Sequence, residues 1–284
     1  MMPDTLESAY QHCMRMTRSH YENFPVASRL LPRALRTPVS VIYAFARSAD
    51  DFADEGELVP AERLARLDGY RRQLDAIAAG RTPGDPIFIA LADVAQRHAL
   101  PLQLLYDLLT AFRQDVVKSR YANFDEVLAY CRYSANPVGR IVLHLAGDAG
   151  ADNLRDSDKI CTALQLINFW QDLEQDYLES SRVYLPQDEL AAYGVAEEQL
   201  GRRGNSPALR ALMDKQIERS RALMLDGAPL GTRLRGRLGI EIRATIHGGL
   251  CVLDALARRR DDVFARPRLR RRDWLRVLRR ALIP

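Results

Sequence analysis

The sequence predicts an all-α fold, and three observations carry that prediction. Amphipathic segments with helical spacing fill most of the chain, and Pro and Gly fall mainly between those segments. Strand-like alternation is nearly absent. Only Arg182-Val183-Tyr184-Leu185 looks extended, and it is too short to argue a sheet.

The elements follow in order. Residues 6–19 form a first helix, which His20-Tyr21-Glu22-Asn23-Phe24-Pro25 breaks. Pro38 in a first turn, with Thr37 as N-cap, starts a second helix over 38–54 that stops at Glu55-Gly56. A third covers 61–79 after Pro60 and ends at Gly80. Segments 87–98 and 102–117 are amphipathic and separated by Leu100-Pro101. Segment 124–134 leads into a break at Asn136-Pro137-Val138-Gly139, and 140–147 is short and apolar. Asp156 or Ser157 caps a long helix running through Asp176, and 207–225 and 238–260 finish the body. With no repeat, low-complexity tract or linker, residues 1–284 are expected to form one domain.

Within this frame two polar stripes stand out. In the run from Gln165 to Asp176, residues Asn168, Asp172 and Asp176 recur every fourth position, with Gln165 a turn further back. Positions three and four apart share a helix face, so these groups form one stripe beside Phe169 and Trp170. Asp50 and Asp54 make a second i,i+4 pair, with Arg47 one turn before them. Like charges so placed destabilise an isolated helix by roughly 0.2–0.5 kcal/mol, which a bound cation would offset. Either pair alone is a weak signal, but both sit in apolar or aromatic runs where a solvated face is awkward. Two such helices facing one another across a cavity would suit Mg2+, a hard ion that takes oxygen ligands and shares its shell with phosphates.

Composition bounds the rest. Hydrophobic content of 47% with 27% charged residues is ordinary for a globular protein of 284 residues, long enough for a substantial core. Four scattered cysteines without a C-x-x-C predict reduced thiols and a cytoplasmic setting. No signal-peptide pattern and no apolar run near 18 residues is found, so no membrane span is expected. The net charge of +4 hides an asymmetry: segment 258–284 holds eleven Arg against three Asp, a balance of +8, leaving −4 on the remainder. That basic segment invites an anionic bilayer surface, an inner-membrane periphery for a cytoplasmic protein, or closure over a polyanion. No nucleic-acid recognition motif accompanies it, so nucleic acid is not an expected partner.

Tyr43-x-x-x-Arg47-x-x-Asp50-Asp51-x-x-Asp54, then Gln165-x-x-Asn168-x-x-x-Asp172-x-x-x-Asp176 and Arg182-Val183-Tyr184-Leu185-Pro186, resemble the squalene/phytoene synthase family. Phe124-Asp125-Glu126, Tyr130-Cys131 and Pro137-Val138-Gly139 extend the resemblance over nearly the whole chain. His20 to Ser28, Ser134 to Arg140 and Asn168-Phe169-Trp170-Gln171-Asp172 resemble its hopanoid-pathway branch.

The resemblance implies an all-helical isoprenoid synthase fold around a central cavity. Two aspartate-rich helices would hold Mg2+ through Asp50, Asp54, Asn168, Asp172 and Asp176. His20, Tyr43, Arg47, Gln165, Arg182 and Arg268 would bind the substrate diphosphate, with Tyr184 closing over it. His20 suits a capping or core position as well. Phe24, Phe45, Phe169 and Trp170 are candidates for an aromatic wall around a carbocation, though Phe169 and Trp170 equally suit a plain core. Asp51, Glu55 and Asp115 suit either a supporting role or a solvated one.

The implied reaction in that branch is ionisation of presqualene diphosphate and capture of the rearranged cation by water to give hydroxysqualene. The alternatives are a complete head-to-head synthase joining two farnesyl or geranylgeranyl diphosphates, and a non-catalytic assembly factor. One departure stands out: many members carry a basic residue immediately before the aspartate matching Asp172, and here that residue is Gln171.

Overall fold

The computed structural model describes residues 3–19, 31–54, 56, 58–81, 83–259, 262–267 and 270–282. The described residues form helices and one isolated parallel bridge, Arg120 to Val183, with no strand among them. The first seven helices are α1 (Pro3–Ser19), α2 (Arg33–Asp54), α3 (Pro60–Ala78), α4 (Pro86–Arg97), α5 (Gln103–Val117), α6 (Phe124–Ser134) and α7 (Asn136–Ala146). There follow α8 (Ala151–Gln171), α9 (Leu173–Ser180), α10 (Gln187–Tyr193), α11 (Glu198–Gly201) and α12 (Pro207–Gly227). The last three are α13 (Leu230–Arg233), α14 (Gly236–Ala257) and α15 (Arg271–Leu282). No described helix is long and apolar enough to cross a membrane.

The helices fall into two compact units interleaved in sequence, one of residues 1–117 and 137–150, the other of 118–136 and 151–284. In the first, α2 packs on α1, α3, α4 and α5. In the second, α8 packs on α12 and α14. Gly227, at the end of α12, permits a close approach there: a Cβ would lie 2.7 Å from the Asp156 carbonyl and 2.8 Å from Ile160 Cγ1.

Several boundaries correct the expectation. Helix α2 begins at Arg33, so Thr37 is not its cap and Pro38 lies inside it. The turn is initiated instead by Pro32, whose carbonyl accepts from Leu35 at 2.9 Å. Asn136-Pro137-Val138-Gly139 is the first turn of α7, and the break falls one residue earlier, at Ala135. Helix α8 starts at Ala151, which leaves Asp156 and Ser157 buried inside it rather than capping it. Its partner is the reason: Asp156 pairs with Arg233, a charge-assisted contact that satisfies a carboxylate only 3% exposed. The Arg-rich segment, expected only as a basic stretch, ends in the helix α15.

Candidate active site

In the first unit the aspartates are carried by α2. Its apolar residues Val41, Ala44, Phe45, Ala49 and Ala53 are buried, which turns Tyr43, Arg47, Asp50, Asp51 and Asp54 toward partial or full exposure. An aromatic cluster holds the buried side. Phe45 meets Phe88 edge-on at 5.8 Å and Tyr70 at 5.6 Å, and the Tyr70 hydroxyl donates to Ser48 at 2.6 Å. Phe45 is thus core in this unit, with 0% exposure.

Arg47 neutralises its own helix: it lies 2.8 Å from Asp51 and 3.6 Å from Asp50. Burial, with Asp51 and Asp50 adding and Arg47 opposing, pushes the Tyr43 hydroxyl above its ordinary pKa, so Tyr43 remains a donor at neutral pH. Asp115 lies in α5, partly exposed.

The end of α2 is capped by a residue that sequence reasoning passed over. Arg63 donates to the carbonyls of Ala53 at 2.6 Å, Phe52 at 3.3 Å, Gly56 at 2.7 Å and Leu58 at 2.9 Å. Those of Phe52 and Ala53 are carbonyls that a helix end leaves without partners, and those of Gly56 and Leu58 belong to the connection that follows. The guanidinium also lies where the helix dipole favours a cation. Arg63→Ala should lower stability by about 1.5–3 kcal/mol, measured by urea unfolding, because several charge-assisted bonds are lost together.

In the second unit α8 carries Gln165 and Asn168. Leu166, Ile167, Phe169 and Trp170 are buried, while Asn168 between them is exposed. Trp170 is fully buried and its indole donates to Ser220 at 2.9 Å, whose hydroxyl donates in turn to the Gln216 carbonyl at 2.8 Å. Trp170 is therefore core rather than a wall open to a cation. Phe169, 2% exposed, stacks on Tyr184 with centroids 3.6 Å apart and planes at 7°, and Tyr184 continues to Tyr121 at 5.5 Å. The ring of Tyr184 is thus a packed member of this stack.

The predicted single helix through Asp176 is two. Backbone angles at Asp172 (φ −111°, ψ 17°) end α8 and begin α9. The stripe survives the kink because the i,i+4 bonds continue through it: the Asp172 amide donates to the Asn168 carbonyl at 3.1 Å, and the Asp176 amide to the Asp172 carbonyl at 2.8 Å. Helix α9 ends at Ser181 in the left-handed region (φ 52°), and the Arg182 amide donates back to the Asp176 carbonyl at 2.9 Å.

The electrostatics of this stripe are its most distinctive property. Asp172 is 9% exposed, hydrogen-bonded by the Asn168 side chain, and gripped on both oxygens by Arg266, at 2.9 and 3.2 Å. Burial nevertheless lifts its carboxyl above the usual range, against the pull of Arg266 and Asn168. Asp176 is pushed up to about 7, by burial first and then by Asp172, with Glu179 adding and Arg182 and Arg266 opposing.

Among the described residues no three His, Cys, Asp or Glu side chains form a metal-holding cluster. Each unit instead presents an aspartate pair, and the second adds the Asn168 amide. Buried Asp172 and half-buried Asp176, the latter lifted to about 7 by burial first and by its neighbour second, form a set of oxygen donors that a hard divalent cation fits. His20, Phe24, Glu55 and Arg268 lie outside the described residues.

The family model described as squalene/phytoene synthase matches residues 17–275. A hydroxysqualene synthase of Rhodopseudomonas palustris is 40% identical over 231 residues, 81% of this chain and 77% of its own length. A phytoene synthase of Mycobacterium tuberculosis is 36% identical over 190 residues, 67% of this chain and 61% of that protein. The crystal structure of squalene synthase HpnC from Alicyclobacillus acidocaldarius superposes with a TM-score of 0.85 at 35% identity, covering 92% of this chain and 97% of that one.

Proposed function

The chain belongs to the squalene/phytoene synthase family, enzymes with an all-α isoprenoid synthase fold that act on isoprenoid diphosphates, and we propose that it ionises presqualene diphosphate and captures the rearranged cation with water. The products are hydroxysqualene and diphosphate. The observation that supports this reading best is the Asp172–Asp176 pair, two carboxyls raised by burial with Arg182 and Arg266 beside them. Such a pair is poised for a polyanion and its counter-cations. The 40% identity to a hydroxysqualene synthase supports the choice of branch.

In this reading Asp50, Asp54, Asn168, Asp172 and Asp176 would hold Mg2+, which when bound supplies Lewis-acid neutralisation of the leaving diphosphate. Arg47, Arg182 and Arg266, with the expected Arg268, contribute guanidinium donors matched to phosphate oxygens. Gln165 and Tyr43 contribute neutral hydrogen bonds. As the C–O bond breaks, the electron pair leaves with the diphosphate; water then adds its oxygen to the carbocation and releases a proton. Gln171, partly exposed beside Asp172, holds that water. Gln171→Leu should lower the share of hydroxylated product at least about threefold, read by mass spectrometry; an unchanged product ratio excludes the role.

The deciding experiment incubates the protein and Mg2+ with presqualene diphosphate and, separately, with farnesyl diphosphate, both without reductant. Hydroxysqualene from the first and no product from the second is the expected result. The second reading, a complete head-to-head synthase, is favoured by the 36% identity to a phytoene synthase and predicts direct consumption of farnesyl or geranylgeranyl diphosphate. The cytoplasmic, membrane-peripheral setting of such an enzyme belongs to the same proposal, since a C30 product partitions into a bilayer.

A further inference from the structure

Helix α15 is strongly amphipathic, yet only part of its apolar side is covered. Val277 and Ala281 are buried, and α15 packs on α14. Trp274, Leu278 and Leu282 recur every fourth residue beside that seam, with Leu275 next to them, and are 52%, 44%, 66% and 69% exposed in that order. By helical geometry these four form one strip, and Arg272, Arg276, Arg279 and Arg280, all exposed, occupy the sector beyond it.

The helix is held in that orientation. The Asp273 carboxylate accepts from the Arg270 amide at 2.8 Å, the acidic half of a capping box at the start of the helix. At the other end Arg243 of α14 donates to the Ala281 carbonyl at 2.7 Å and to the Gly231 carbonyl at 2.6 Å. The exposed strip is therefore presented outward by a fastened helix.

We propose that this strip of α15 is the face by which the protein docks on an anionic lipid bilayer. Trp at the headgroup level, leucines below it and arginines along the border are the chemistry of a helix lying in a membrane interface. The occupant follows from charge. A second copy of the chain would bring another segment with a balance of +8 against this one, whereas anionic headgroups complement it. A nucleic acid would satisfy the arginines but leave the leucines and Trp274 in water. The inference stands on α15 alone and links to the proposed reaction only through the lipid character of its substrate and product.

The test is co-sedimentation with vesicles of equal phosphatidylglycerol and phosphatidylcholine, against phosphatidylcholine alone, with tryptophan emission read in parallel. The chain has two Trp, and Trp170 is fully buried, so a blue shift reports Trp274. Binding to the anionic vesicles with a blue shift is expected. Leu275→Asp with Leu278→Asp should cut partitioning at least about tenfold, and each Arg→Gln in the border about fivefold. Both leucines are exposed, so thermal unfolding of the double variant should match the wild type, as should its turnover of presqualene diphosphate in detergent. That turnover assay fails if the proposed reaction is wrong, independently of the vesicle result.

Absence of binding, or binding that the double aspartate variant leaves unchanged, would overturn the assignment. So would a dimer in sedimentation velocity that the same variant dissolves, because the strip would then face a second copy.

Discussion

Asp176→Asn is expected to abolish turnover while making the protein more stable at neutral pH. Removing one hydrogen-bond donor that stabilises a developing anion costs on the order of 100–1,000-fold in kcat, and loss of a carboxylate that would hold Mg2+ should fall at or beyond the upper end. The stability gain comes from linkage. The Asp176 carboxyl is raised from 3.8 to about 7 in the folded state, chiefly by burial and next by Asp172. The folded protein therefore holds this proton more tightly than the unfolded chain does.

The native state thus loses stability as pH rises from about 4 to 7, and the full cost is present above pH 7. Below pH 4 both states are protonated and the cost vanishes. Asn carries no such cost. The difference in unfolding free energy between Asp176→Asn and wild type, without Mg2+, should be near zero at pH 4 and reach on the order of 2–4 kcal/mol by pH 8. Adding Mg2+ at pH 8 should raise the wild-type midpoint and leave the variant nearly unmoved. A pH-independent difference would mean that Asp176 ionises as an ordinary surface carboxylate. A midpoint that ignores Mg2+ would remove this stripe from the metal site.

The second large effect is structural. Trp170→Ala should destabilise the protein by about 3–5 kcal/mol, because the largest fully buried side chain leaves a cavity where α8 meets its neighbours. On the order of 2–4 °C per kcal/mol, thermal unfolding should fall by about 6–20 °C. Trp170→Phe keeps most of the volume and loses the hydrogen bond to Ser220 at 2.9 Å, so about 1–2 kcal/mol is expected. A mild alanine variant would mean that α12 and α14 collapse into the space. The position also bears on the site, since Trp170 fastens α8 two residues before the kink that presents Asp172.

How much of this was readable in the sequence differs from residue to residue. The aspartate stripes were legible because their spacing of four is a local property, preserved even through the kink by bonds between neighbouring turns. The kink itself was not: nothing in Gln171-Asp172-Leu173 marks a helix end by composition. Pro38 misled because a proline usually starts a helix, whereas here Pro32 already does so. Arg266 was missed because it meets Asp172 across 94 residues of chain, and eleven arginines of segment 258–284 look alike in sequence. A basic residue just before a Pro in that segment was the only signal available.

Local patterning by itself determined the all-α class, the two aspartate pairs and, through its motifs, the family. Those depend on spacing along a helix, which propensity and periodicity control. Only the tertiary structure decided which aromatics are core, that Arg63 closes α2, that Arg266 grips Asp172, and how far burial lifts Asp176. Each of those is a matter of desolvation and contact between distant segments, and solvent exclusion is a property of the packed chain rather than of any stretch of it.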